Sequence, residues 1–210
     1  MTVTNCICMK YGTRYGAEYP NRLYAGLRRH TAADLRLICL TDDPAGLRPE
    51  IEVLPLVEEP FWPTMIAAMR RMGLGSPFRK VSMYRPGLVA DLDGPLILLD
   101  IDVVIVGSID VLRDHAPGKV CMRMDWAAGP GSGEFGHGSV EKFEPDRHGY
   151  IYETMARDPV AALGYGREQI FTSRTADAAG DFVPFPDAWI ASYKRDCRPP
   201  RPLDLVLPPR

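Results

Sequence analysis

The run from Leu96 to Val106, L-I-L-L-D-I-D-V-V-I-V, constrains this chain more than any other, because it sets two aspartates in the most apolar segment of the sequence. Read with period two, neither alternate set of positions is polar apart from Asp100 and Asp102. That predicts a strand buried on both faces, as in a parallel sheet covered by helices. Residues i and i+2 of a strand point the same way, so the two carboxylates are expected side by side, and neighbouring anions in an apolar setting repel. A hard divalent cation at the strand's end, magnesium or manganese, would remove that penalty and keep positions open for substrate phosphates. The plainer alternative ends the strand at Leu99 and leaves both aspartates as solvated loop residues.

The rest of the composition sets bounds. A chain of 210 residues, 46% hydrophobic and 25% charged, is long enough to bury a full core. A net charge of -2 without a stripe of Lys and Arg argues against nucleic acid. No run has the length of a transmembrane helix, and the opening M-T-V-T-N-C-I-C-M-K has no charged leader, so it reads as a first strand. The expected location is the cytoplasm, with peripheral contact with a membrane left open. Cys6, Cys8, Cys39, Cys121 and Cys197 form no C-x-x-C pair, and four of them lie in apolar strand-like runs. They read as small buried hydrophobes in a reducing compartment.

In chain order, Thr4 to Met9 predicts a strand, followed by the glycine-containing loop K-Y-G-T-R-Y-G-A-E from Lys10. Glu18 to His30 predicts a helix, with Pro20 in its first turn, Leu23 and Leu27 on its apolar stripe and Arg28, Arg29 and His30 at its C-terminal dipole. Leu35 to Leu40 and Ile51 to Leu54 predict strands, so the opening is a βαβ unit with a parallel pair. From Pro55 to Ser76 the periodicity weakens. Phe78 to Leu88 reads as a helix carrying Lys80, Tyr84 and Arg85 that Pro86 ends or kinks. Ile109 to Leu112 reads as a helical turn and Lys119 to Met124 as a strand. Ala127 to Gly138, A-A-G-P-G-S-G-E-F-G-H-G, has neither the spacing nor the G-K-[ST] ending of a phosphate loop. It is either a surface loop or an active-site lid. Ser139 to Phe143 predicts a short strand, Arg147 to Met155 a helix, Gly166 to Phe171 a helical turn, and the proline-rich segment from Cys197 a surface wrap.

Several separated stretches agree with one pattern. They are K-Y-G-T-R-Y-G-A-E-Y-P-N-R-L-Y-A-G-L-R-R-H from Lys10, C-L-T-D-D-P-A-G-L around Asp42, and F-R-K-V-S-M-Y-R-P-G-L from Phe78. L-L-D-I-D-V-V-I-V-G-S-I-D-V-L and P-D-A-W-I-A-S-Y-K from Pro186 complete the set. In these the chain resembles bacterial glycosyltransferases of the GT-A fold. The resemblance implies an α/β fold, a Rossmann-like, mixed and mostly parallel sheet flanked by helices. Residues 1–106 would be the nucleotide-binding half and 107–210 the acceptor-side half. It implies a metal-dependent enzyme of hexosyltransferase type that moves sugar from a nucleotide-diphosphate sugar to a glycan, lipid-linked or small-molecule acceptor.

The same resemblance assigns residues. Asp102 and Asp100 would hold Mn2+ or Mg2+, with Asp100 also reaching the donor ribose. Lys10, Tyr11, Thr41 and Asp42 would grip base and ribose, and Lys80 the diphosphate or sugar. Asp43 reads as a turn former before Pro44. Glu168, in G-R-E-Q where the pattern has Asp-Gln, and Asp187 are the catalytic candidates. His137-Gly138-Ser139-Val140 stands where Asn-Ser or Asn-Gly is usual, and no F-H-G follows His148. The metal would then be completed by water, phosphate or His137. Two other readings stay open: a nucleotidyltransferase, which also uses aspartates with magnesium, and a GT-A-like module that binds nucleotide or glycan without turnover.

Overall fold

The computed structural model describes residues 2–74, 78–126 and 134–198. Six strands form one sheet: β1 (Val3–Lys10), β2 (Asp34–Thr41), β3 (Ile51–Pro55), β4 (Leu96–Leu99), β5 (Cys121–Met124) and β6 (Gly136–Phe143), in the order β3-β2-β1-β4-β6-β5. The β1–β2, β2–β3 and β1–β4 pairs are parallel, and β6 runs antiparallel to both β4 and β5. The sheet is therefore mixed and mostly parallel, and β4 joins the two halves of the chain.

Helices cover both faces, as strands this apolar require. On one face Cys6, Cys8, Leu37, Cys39, Ile97 and Leu99 pack against α1 (Glu18–Arg29) and α3 (Asp110–Asp114). On the other, Ile7, Ile38, Leu40, Leu96 and Leu98 meet α2 (Trp62–Met72), the 3-10 turn Lys80–Tyr84 and the C-terminal helices. Those are α4 (Pro145–His148), α5 (Tyr150–Arg157), α6 (Pro159–Leu163) and α7 (Glu168–Ala178). The free thiols of Cys6, Cys8, Cys39 and Cys121 are buried, as their apolar surroundings predict.

The central strand is shorter than its sequence suggests. All four residues of β4 are buried, but the strand ends at Leu99, where the expectation carried it to Val106. Beyond it Ile101, Val103 and Ile105 are half-buried, while Asp102, Val104 and Val106 face solvent, the two valines 80% and 84% exposed. The pairing explains the exit. β1 and β4 are in register only as far as Ile7↔Leu98, whereas β1 continues beside β2 to Lys10↔Thr41. The departing chain crosses α1 at Gly26, where an added Cβ would stand 3.3 Å from Ile105 Cβ. The gap lies at the carboxyl ends of the strands where the order reverses, the place open α/β sheets reserve for ligands.

Other boundaries differ as well. The weakly patterned stretch after Pro55 contains α2: Pro63 is tolerated in its first turn, and Trp62, Met65, Ala68 and Met69 form its buried face. Phe78 to Leu88 is only the 3-10 turn, with Arg85 extended ahead of Pro86. Gly149 separates α4 from α5, and α7 runs to Ala178 where one turn was expected. The glycine-rich segment splits: Gly136 to Gly138 belong to β6, while 127–133 lie outside the described residues, and with them most of the expected lid. The proline-rich segment from 199 onward also lies outside them.

At the opposite end of the sheet, the Asp110 carboxylate accepts hydrogen bonds from Thr4 Oγ1 (3.0 Å), Thr31 Oγ1 (2.7 Å), Arg113 Nη1 (3.0 Å) and Ala32 N (2.9 Å). Burial would raise its pKa, but the Ala32 N–H, the two hydroxyls and Arg113 outweigh it and hold it below the ordinary carboxylate value. A depressed pKa contributes stability above the unfolded-state value and loses it as pH falls through the folded one. Asp110→Ala should therefore cost about 1–3 kcal/mol at neutral pH. The difference from wild type should shrink below about pH 4. Urea unfolding at both pH values reads this.

Candidate active site

The gap between β1 and β4 is floored by strand ends. Lys10, the last residue of β1, is buried and its Nζ donates to Asp43 O at 2.9 Å. Thr41, at the end of β2, is buried too; its hydroxyl donates to Asp43 O at 3.0 Å and accepts from Asp43 N at 3.1 Å. Asp43 Oδ1 accepts from Ala45 N at 3.0 Å, which makes Asp43 a turn former. Asp42 Oδ2 accepts from Gly12 N at 2.9 Å and ties the loop after β1 to the loop after β2. Four polar side chains here therefore shape backbone, while Tyr11 stands 43% exposed on the rim. The Arg79 guanidinium lies 5.2 Å from the Tyr11 ring and 4.3 Å from that of Trp62.

Across the gap a charged cluster surrounds one lysine. Lys80 Nζ forms an ion pair with Asp100 Oδ1 at 2.5 Å and donates to Gly138 O at 2.7 Å. Asp100 N in turn donates to Ser139 O at 2.9 Å, the last bond between the β4 and β6 segments. The Glu168 carboxylate, at the start of α7, accepts from Val81 N at 2.8 Å. Glu141, buried on β6, accepts from Tyr84 Oη at 2.5 Å. Burial opposes the charge on Lys80, but Asp100, Glu141 and Glu168 outweigh it and raise its pKa. Burial pushes Glu141 up to about 7 and Glu168 up to about 8, against the pull of Lys80. Gly138 permits this crowding: a Cβ there would lie 3.2 Å from both Glu141 Oε1 and Gln169 Cβ. Lys80, Gly138, Glu141, Glu168 and Gln169 line a cavity of 420 Å³, within the range of small-molecule sites.

The fold is that of the GT-A glycosyltransferases. Mouse xyloside xylosyltransferase 1 in its apo form superposes with a TM-score of 0.56 at 12% identity, over 93% of this chain and 90% of that one. The galactosyltransferase LgtC, solved with donor and acceptor sugar analogs, gives 0.58 at 12% identity over 86% and 73%. The glycosyltransferase GlyE of Streptococcus pneumoniae TIGR4 gives 0.53 at 13%, over 89% of this chain but only 46% of its own length. No protein-family model matches the chain. No curated protein sequence matches it either.

Within the GT-A frame the expected residues divide. Lys10, Tyr11, Thr41 and Asp42 gather at the ends of β1 and β2, and Lys80, Asp100 and Glu168 across the gap. Asp102 is exposed. His137 lies on β6 opposite Arg123, not in a loop. Its ring meets the Trp126 ring at 5.1 Å, and its Nδ1 faces Ser139 N at 3.4 Å. Burial lowers its pKa, with Asp125 and Asp100 opposing. Among the described residues no three His, Cys, Asp or Glu side chains gather to hold a metal ion, and the Asp100 carboxylate already has Lys80 as its partner. The trio Asp100, Asp102 and His137 therefore does not fit a metal as it stands. Asp187 lies apart from the lysine cluster, 75% exposed, 3.8 Å from Arg123 Nη2. The sequence reading missed Glu141, whose signal was a charged residue in mid-strand, and gave no role to Tyr84 or Arg79.

A raised carboxyl pKa reverses the usual sign. The folded chain keeps the Glu168 proton up to about pH 8, while the unfolded chain releases it near 4.5, so stability falls as pH rises between those values. Glu168→Gln keeps the acceptor for Val81 N–H and removes this share. Its melting temperature should decline less than that of wild type between about pH 5 and pH 8. An equal decline would assign the titration to other groups.

Proposed function

We propose that this protein is a glycosyltransferase that moves a sugar from a nucleotide-diphosphate sugar to a hydroxyl-bearing acceptor. The observation that carries the reading is the crevice at the reversal of strand order in a GT-A fold, where Asp100 at the end of β4 pairs with Lys80, which also lines the cavity beside Glu141 and Glu168. Tyr11 and the backbone that Asp42, Thr41 and Lys10 shape would receive the nucleoside. Lys80 and Asp100 would lie toward the diphosphate and ribose, and Glu168 and Gln169 toward the sugar.

In the reaction the bond from the sugar's anomeric carbon to the diphosphate oxygen breaks, and a bond to the acceptor oxygen forms. The diphosphate leaves with the bonding pair, so charge develops on it in the transition state. A preorganised ammonium at Lys80 would stabilise that charge. The acceptor's proton needs a carboxylate. Glu168, protonated at neutral pH, would donate a hydrogen bond to a sugar hydroxyl there and become a base only as pH rises past about 8. Asp187, exposed, is the alternative base for an acceptor arriving from solvent.

A mass-spectrometric screen of nucleotide-diphosphate sugars for release of nucleoside diphosphate tests the reading, with manganese, magnesium or chelator as separate arms. Release from one donor class is expected, lowered about 10²-fold or more by Asp187→Asn if Asp187 is the base, and by Glu168→Gln only above about pH 8, where Glu168 has lost its proton, since general acid–base groups contribute on that scale. Consumption of a nucleoside triphosphate with release of pyrophosphate would indicate a nucleotidyltransferase. Saturable donor binding with no release in any arm would indicate a binding module.

A further inference from the structure

We propose that Lys80 is the built-in counter-cation of this site: its ammonium holds the position on Asp100 that a divalent ion would need, so nucleoside diphosphate binds without divalent metal. The inference rests on reading the crevice as a donor site, and extends it by naming what meets the donor's charge.

Three observations lead there. First, the ammonium is seated, not passing. It contacts Asp100 Oδ1 at 2.5 Å and Gly138 O at 2.7 Å, and its side chain starts in a 3-10 turn whose Val81, Met83 and Tyr84 are buried. Among the described residues two of its three N–H donors are thereby engaged, which leaves the third for a ligand in the cavity that Lys80 lines. Gly138 guards this seat, because a side chain there would press on Glu141 and Gln169.

Second, the other groups a metal would call on are directed elsewhere. Asp102 follows the outward row of Val104 and Val106, and His137 turns its ring toward Trp126. A divalent ion binding Asp100 would have to displace the ammonium or stand beside it, and like charges sharing one carboxylate repel.

Third, a second cation stands next to Lys80 in sequence. Arg79 lies against the rings of Trp62 and Tyr11, and its one ion pair among the described residues is a 3.5 Å contact with the exposed Glu58. Among the described residues its Nε is buried without a hydrogen-bond partner. Lys80 and Asp100 cancel each other's charge, so Arg79 supplies the positive excess at the Tyr11 end of the crevice, where an incoming diphosphate would meet it.

The test measures the affinities of the five common nucleoside diphosphates by calorimetry, in chelator and in millimolar manganese, together with manganese alone followed by its electron paramagnetic resonance. The affinity of the best nucleotide is expected to differ less than about threefold between chelator and manganese, while Lys80→Met loses about tenfold or more in chelator. Lys80→Arg should keep binding independent of metal, which separates charge from a folding defect. Lys80→Met, with Asp100 freed, should bind manganese more tightly than wild type does. If wild type binds nucleotide only with manganese, the counter-cation role is overturned and the donor reading stands. If no nucleotide binds in either arm, the donor reading fails, and manganese alone decides the rest. Binding by wild type that Asp100→Asn abolishes would overturn the role of Lys80, and binding that appears only in Lys80→Met would support it.

Discussion

A carboxylate at the end of a buried strand must find a cation, and that constraint organises this molecule. Leu96 to Leu99 are at most 1% exposed, and the chain leaves the sheet core at Asp100, whose side chain is 29% exposed and so only partly solvated. Lys80 supplies the charge, and reaching Asp100 requires the turn Lys80–Tyr84 to pack under β6 and Gly138 to offer its carbonyl. An ion pair of this kind is weak evidence for stability, since desolvation offsets much of the attraction. Its consequence is positional: it fixes where β4, β6 and the turn meet, and the cavity lies beside that junction, between β6, the turn and the start of α7.

One ammonium does not balance three carboxylates. Glu141 and Glu168 both lie within its field, but burial outweighs its pull and both hold their protons to higher pH, Glu168 further than Glu141. The Tyr84 phenol, pushed up by burial and then by Glu141, remains a donor to that carboxyl, and its ring stacks on Phe143 at 3.9 Å. The cluster therefore presents hydrogen-bond donors at neutral pH where the bare sequence suggests repelling charges. That polarity suits the hydroxyls of a sugar better than it suits a second cation, and shifted carboxyls in a cleft are what acid–base chemistry uses.

The parallel half was legible because its strands are continuous apolar runs bounded by polar turns: Thr4 to Met9, Leu35 to Leu40 and Ile51 to Leu54 all appear with small shifts. The same criterion misjudged the end of β4. Val104 and Val106 are as apolar as Leu96 and Leu98, and periodicity cannot tell a buried valine from an exposed one when both alternate sets are apolar. α2 was hidden by Pro63 and by the surrounding prolines, although proline suits a first turn. His137 read as loop because glycines surround it; only pairing with β5, across the irregularity between Met122 and Arg123, makes it strand. Glu141 was missed although its strand was expected. Its burial depends on Tyr84, 57 residues earlier, and no local pattern carries that contact.

The residues that were legible at the site also differ in kind from those that were not. Lys10, Thr41 and Asp42 were singled out through the family resemblance, and in the structure their side chains bond backbone at the strand ends. On the later side the contacts join distant side chains. Arg123 stacks 3.8 Å over the Trp126 ring, whose Nε1 donates to Asp196 Oδ2 at 2.8 Å, and that oxygen also accepts from Ser192 N at 2.6 Å. Among the described residues Arg123 Nε, like Arg79 Nε, is buried with no hydrogen-bond partner; both guanidiniums lie over rings, and Arg123 Nη1 also donates to Met124 O. Stacking fixes the plane of a guanidinium while leaving its edge free to bond. The frame of the crevice is thus set by backbone and its chemistry by side chains that the fold brings together, which is why a fold can be read from pattern while the partners of Lys80 cannot.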